Sequence, residues 1–168
     1  VDYDEWPVAS SNMIGIGGCL ANLLGYYGND FTDAFFGLNA YTNYAAWEEK
    51  IAPLTCWNGT KKGYASSNTI GYAVITTYKD INGTVLFLIW GHWGRDTYYA
   101  CEWFHASWWD EGIYQLQQFP ECVTSIILKI EYESTSEGYK PTDYSIVECL
   151  GTISETLVHD VKGGIHDP

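Results

Sequence analysis

The stretch that decides the fold is 85–109. It opens Val85-Leu86-Phe87-Leu88-Ile89-Trp90, turns at Gly91-His92-Trp93-Gly94, and continues Arg95-Asp96-Thr97-Tyr98-Tyr99-Ala100-Cys101-Glu102-Trp103-Phe104-His105 towards Trp108-Trp109. Six consecutive apolar residues suit a strand buried on both faces, a habit of parallel sheets. Gly94 ends the turn, and Asp96 or Thr97 is a natural N-cap for a helix running to about residue 108. Ala100, Cys101, Phe104 and Trp108 fall on one stripe of that helix. Strand, glycine turn and capped helix host many active sites, and they are equally ordinary α/β architecture. The rest of the chain has to decide between the two.

Upstream, Met13-Ile14-Gly15-Ile16 reads as a short strand ending in Gly17-Gly18. A helix is expected over 19–27, with Leu20, Leu23 and Leu24 on one face and Gly28-Asn29-Asp30 closing it. The stretch 31–67, rich in Tyr, Asn, Gly and Thr, predicts irregular loops with short elements and a helical turn near 45–51. Residues 70–78 are rich in β-branched side chains and predict a strand, followed by a turn at 79–83. Further helix is expected at 112–119, a strand at 123–132, a polar loop at 133–143 and a strand at 144–150, with 153–158 extending it. The order β-α, loops, β-β-α, β, β predicts a single compact α/β domain. Its central sheet is expected to be mostly parallel and flanked by helices, with added antiparallel strands and an irregular aromatic-rich middle. The domain spans 13–160, between an N-terminal arm (1–12) and a C-terminal tail (161–168).

Composition narrows the partners. The chain carries 21 acidic against 8 basic residues, a net charge of −13. That excludes phosphate-backbone binding, which needs clustered Lys and Arg, so no nucleic acid partner is expected. No run approaches the roughly 20 apolar residues of a membrane-spanning helix, so no membrane insertion of this segment is expected. Aromatic content is high, with 8 Trp and 14 Tyr. Such an excess suits either a sugar-stacking face or extensive protein contacts, where Tyr and Trp are enriched.

Cys19, Cys56, Cys101, Cys122 and Cys149 are widely spaced and form no C-x-x-C pair, which removes zinc-ribbon, thioredoxin and c-type haem readings. In a Lys-poor chain they are candidates for one or two disulfides in an oxidising exterior, with an odd thiol left over. Asn58-Gly59-Thr60 and Asn82-Gly83-Thr84 are glycosylation sequons built on turn dipeptides, so Asn58 and Asn82 are candidate carriers of N-linked glycans.

Other constellations weigh less. Gly15-Ile16-Gly17-Gly18 invites a dinucleotide reading, but Leu20 occupies the slot of the third glycine, so no cofactor is expected. Backbone amides at that helix start remain able to hold an anion. His92 beside Asp96, with Cys101 downstream, is the only arrangement resembling a catalytic dyad, and Cys101 sits on the apolar stripe. His105, His159 and His166 show no metal-ligand spacing. Asp30 with Asp33, or Asp2 with Asp4 and Glu5, offer oxygen ligands of the kind calcium takes, although a solvated acidic surface is the plainer reading.

Two segments carry a family resemblance. Gly17-Gly18-Cys19-Leu20-Ala21-Asn22 resembles the Gly-Gly-Pro-x-x-Asn motif of archaeal surface-layer (S-layer) proteins, with Cys19 in place of Pro. Gly94-Arg95-Asp96-Thr97-Tyr98-Tyr99-Ala100 is similar to the family's later Gly/Asp/Arg/Thr turn and helix. The resemblance covers roughly 13–132. It implies a Rossmann-like domain, secreted and glycosylated, that serves as a structural unit and carries no catalytic residues. The expectation is therefore an extracellular, cell-surface structural protein that is not an enzyme and self-assembles with copies of itself into a layer or filament. A glycan-binding or adhesion module and an α/β enzyme using the His92–Asp96 turn stand as the alternatives.

Overall fold

The computed structural model describes residues 11–18, 21–38, 54–57, 63–80, 83–106 and 123–151 of the 168. In chain order the elements are β1 (Met13–Ile16), α1 (Leu23–Phe31), β2 (Phe35–Leu38), β3 (Leu54–Trp57), β4 (Gly63–Ala65), β5 (Ile70–Lys79), β6 (Val85–Gly91), α2 (Gly94–His105), β7 (Val123–Thr135) and β8 (Gly138–Gly151). Five strands form the main sheet in the order β1-β6-β5-β7-β8, and β2-β3-β4 form a second, antiparallel sheet.

The expected mostly parallel, Rossmann-like α/β sheet is not what forms. Strand outweighs helix more than two to one, and the main sheet is mixed. Among the described residues only β1 and β6 run parallel, whereas β5–β6, β5–β7 and β7–β8 are all antiparallel. Connection length is the physical cause for β5–β6 and β7–β8, whereas β7 follows β6 and the helix after it, runs in the direction of β6, and so meets β5 antiparallel. A parallel neighbour needs a crossover of a dozen residues or more, while a short turn returns the chain antiparallel. β5 and β6 are joined by the expected turn, closed by Asp80 N–H to Thr84 O and Gly83 N–H to Asp80 O, with Gly83 at φ +86°. The polar segment 133–143, expected as a loop, instead continues both strands of a long β7–β8 hairpin around a two-residue turn, with Gly138 at φ +122°. Pro141 is tolerated there because β8 is an edge strand and the register slips beside its partner Tyr132. The middle of the chain, expected as irregular loops with short elements, supplies the short strands β2, β3 and β4.

The apolar run behaves as read: Leu86, Leu88, Ile89 and Trp90 are buried. Alternation sends Leu86, Leu88 and Trp90 to one face, where they pack with Val74, Ile127, Ala34 and Phe36 beneath α1. It sends Ile89 to the other, with Ala73, Ile75, Leu128 and Ile130 beneath Ala100 of α2. A strand can thus be buried on both faces with one parallel and one antiparallel neighbour.

Both helices are displaced from their expected starts. α1 begins at Leu23, because the Asn22 side chain accepts from Leu24 N–H at 2.9 Å and so caps the helix there. It runs through Gly28, which serves close packing rather than termination: a Cβ on Gly28 would lie 2.1 Å from Leu88 Cδ1. α2 begins three or four residues earlier than the expected Asp96 or Thr97 cap, with Trp93 at the N-cap and Asp96 inside the first turn. The helices expected near 45–51 and at 112–119, the extension at 153–158, the tail, and Trp108 fall outside the described residues, as do Asn58, Asn82, Cys19, Cys122, Asp2, Asp4 and Glu5.

Candidate functional site

β1 and β6 lie side by side and parallel, and each leads through glycines into a helix. Since α1 covers one face of the sheet and α2 the other, the chain departs in opposite directions from neighbouring strand ends. In open sheets a crevice forms at such a divergence, outside the carboxyl ends of the strands. Here it is a cleft of about 340 Å³, lined by Gly17, Gly18, Gly91 and Gly94 together with Ile16, Phe36, His92 and Thr97 among others. Gly17 sits at φ +118°. Gly91 is needed because a Cβ there would lie 2.3 Å from the Thr97 backbone nitrogen.

His92 and Asp96 are brought to one turn and then point into different surroundings. His92 follows Leu88 and Trp90 on the α1 side. It is 8% exposed, its backbone N–H donates to Tyr72 O at 2.9 Å, and its ring meets Phe36 and Trp93 edge-on. Its Nδ1 is buried and has no hydrogen-bond partner among the described residues. Burial pushes the imidazole below its ordinary value, only partly countered by the Asp96 charge, so the ring is neutral at neutral pH.

Asp96 is fully buried on the α2 side. Oδ1 accepts from the Tyr132 hydroxyl at 2.7 Å, and Oδ2 accepts from the Trp93 backbone N–H at 3.0 Å. The second bond is half of a capping box, with the carboxylate reaching back from the first turn to the N-cap amide. Trp93 cannot complete the box, because an indole N–H only donates. Burial pushes the Asp96 carboxyl above its ordinary value, against the opposing pull of Tyr132, the Trp93 amide, Arg95 and His92. Gly71 makes room for this carboxylate: a Cβ there would sit 2.1 Å from Asp96 Oδ1.

Arg95, the sole arginine, is as tightly engaged. Its Nε lies 3.4 Å from Asp96 Oδ1, and Nη2 donates to Ser67 O at 2.7 Å. The guanidinium carbon stands 4.5, 4.3 and 4.5 Å from the ring centres of Trp93, Tyr132 and Tyr139. The expected local Arg95–Asp96 pair therefore exists, inside an aromatic cage that ties the turn to the β7–β8 hairpin. Tyr132, Tyr139, Ser67 and Gly71 were invisible as partners in the sequence, since nothing in their spacing links them to Asp96.

No hydrogen bond joins His92 to Asp96, and Asp96 does not line the cleft. Cys101 packs against the core under α2, with its thiol pushed up by burial, and it too is absent from the cleft walls. The three residues of the dyad reading are thus separated. Cys101 and Cys149 are free thiols; Cys56 belongs to β3, with its side chain outside the described residues. The hydroxyl of Thr124 donates to Asp33, and among the described residues no group of three acidic, His or Cys side chains converges as a metal site.

No family model, curated protein or solved structure gives a match to this chain.

Proposed function

We propose that the chain is an extracellular structural protein that associates with copies of itself into a cell-surface layer or filament. The observation that carries this reading is the β1 edge of the main sheet, which is unpaired among the described residues. β1 ends the sheet, with β6 as its one neighbour among the described residues. Ile14 and Ile16 are 74% and 58% exposed, and alternation puts them on the same face as exposed Val85. An unpaired edge that is apolar and lacks charge or proline is a template for another chain, and proteins that remain monomeric blunt such edges. The engagement of Asp96 and Arg95 in holding the turn also favours structure over catalysis there. The exposed aromatics Tyr26 and Phe31 on α1 and Tyr98 on α2 lie over opposite faces of the sheet, so they do not form one sugar-stacking platform.

Sedimentation velocity and electron microscopy of the native chain test the reading. Concentration-dependent oligomers, lost in an Ile14→Lys/Ile16→Lys variant that keeps its melting temperature, are expected. A native chain that stays monomeric at high concentration contradicts it.

A further inference from the structure

The backbone of β1 fixes which of its groups face the sheet and which face outward. Gly17 N–H donates to Ile89 O at 3.0 Å, and Ile16 lies opposite Ile89 in the parallel β1–β6 pair. Along a strand, successive residues turn their backbone groups to opposite sides, so 13, 15 and 17 bond towards β6. The N–H and C=O of Ile14 and Ile16 therefore point away from the sheet. Ile16 O is already taken, by Asn22 Nδ2 at 3.0 Å. Ile14 N–H, Ile14 O and Ile16 N–H are left open among the described residues. Asn12 is held at the head of the same edge, where its Oδ1 accepts from Val85 N–H at 2.8 Å. Alternation turns its backbone C=O outward as well.

Charge and hydrogen-bond pattern together select the occupant. With a net charge of −13, two copies repel each other least where charge is absent, and 11–18 holds no charged residue. The opposite edge, β8, is blunted against pairing. It carries Lys140, Asp143 and Glu148, contains Pro141, and meets β7 through three register shifts. An antiparallel pair of β1 strands is self-complementary under a two-fold axis. Centred on Ile14, it uses every open group. Each Ile14 bonds Ile14 of the second copy through both backbone groups, and each Ile16 N–H meets Asn12 O of the other chain. Centring on Gly15 would instead call on Ile16 O, which Asn22 holds. The Ile14 centre also sets the two Ile14 side chains, each 74% exposed in the single chain, directly opposite each other. We propose, resting on the self-association proposed above, that its first contact is an antiparallel β1–β1 pair between two copies, with the two-fold axis at Ile14. The pair joins two five-stranded sheets into one with a β8 at each end, so growth beyond the dimer uses a different surface.

Ile14→Pro isolates the backbone donor. Its N–H faces away from β6, so proline removes no bond of the sheet, and an edge strand accepts it there. Ile14→Val keeps the donor and an apolar side chain. Sedimentation velocity over a range of concentrations gives stoichiometry and affinity, and a mixture of isotope-labelled and unlabelled native chains gives intermolecular proton contacts. A monomer–dimer first step is expected, kept in Ile14→Val. In Ile14→Pro, at equal melting temperature, it should weaken by at least about tenfold, since two symmetry-related bonds are lost together. The native dimer should show a contact between the α-protons of Met13 in one copy and Gly15 in the other, whose α-carbons stand about 4.5 Å apart in this register. That contact needs no variant, and it decides the question if proline unfolds the edge. Undiminished association in a folded Ile14→Pro, an open-ended first step, or a native oligomer without the α-proton contact overturns the two-fold pair and leaves self-assembly standing. A native chain that stays monomeric overturns both.

Discussion

Removing the Asp96 carboxylate tests how this turn is held. Asp96→Ala deletes two hydrogen bonds to a charged acceptor, from the Tyr132 hydroxyl at 2.7 Å and the Trp93 amide at 3.0 Å. Bonds to charged groups contribute about 1.5–3 kcal/mol each, so the gross loss is about 3–6 kcal/mol. Relief of the burial that penalises the carboxylate offsets part of this. Against it stands Arg95, left without its counter-charge at 3.4 Å although still held by three rings and Ser67. Breaking a buried pair by removing one partner typically costs about 3–5 kcal/mol, and that is the expected net. It is a large share of the roughly 5–15 kcal/mol that holds a domain together. Tyr132→Phe should cost about 1.5–3 kcal/mol, and the double variant should be less destabilised than the sum by about 1–3 kcal/mol. Urea unfolding followed by tryptophan fluorescence measures all four proteins. A loss under 1 kcal/mol for Asp96→Ala, or strict additivity in the cycle, refutes the account of the turn.

Three further outcomes follow from the same geometry. Gly91→Ala should cost more than Gly28→Ala in the same urea assay. The new Cβ at Gly91 meets backbone atoms of Thr97 and Asp96 at 2.3–2.5 Å, which cannot yield, whereas at Gly28 it meets leucine side chains that repack at about 1–3 kcal/mol. Leu88→Ala, in a side chain fully buried between β1, β5 and α1, should lose about 2–5 kcal/mol by chemical denaturation. Burial lowers the His92 pKa, so the unfolded chain binds the proton more readily and His92 makes stability fall as pH drops from about 6.5 through the lower folded value. The raised Asp96 value acts oppositely, making stability rise as pH falls through its folded value towards about 4. His92→Phe should flatten the stability profile just below pH 6.5 in melting curves; an unchanged slope there counts against a buried neutral imidazole.

Local patterns in the chain were legible where one element sufficed to explain them. The run Val85–Trp90 spelled a strand buried on both faces, Gly83 a turn, and Gly91–Gly94 the bend before a helix. Legibility failed where two distant segments had to meet. The polar 133–143 stretch reads as a loop because its strands bury few side chains, and it becomes a hairpin only because β8 pairs with β7 rather than with the core. Helix starts slipped because Asn22 and the Asp96 carboxylate fix them through hydrogen bonds that periodicity does not register. The cleft was half visible: its glycines and His92 stood out in the sequence, while Phe36, from the stretch read as irregular, did not.

What the sequence determined by itself is therefore the set of pieces: an apolar strand, glycine turns, amphipathic helices and a net acidic composition. Side-chain periodicity and turn chemistry are properties of neighbours in the chain, and they survive in any fold. What the tertiary structure alone decided is pairing direction and company. One parallel pair at the sheet edge makes the two helices diverge and opens the cleft. The arrival of Tyr132 and Tyr139 from the β7–β8 hairpin ties Arg95 and Asp96 into that turn, and no hydrogen bond joins Asp96 to His92. A carboxylate's role is set by which donors reach it in a dry interior, and those donors lie 36 residues away for Tyr132 and at the adjoining N-cap for Trp93.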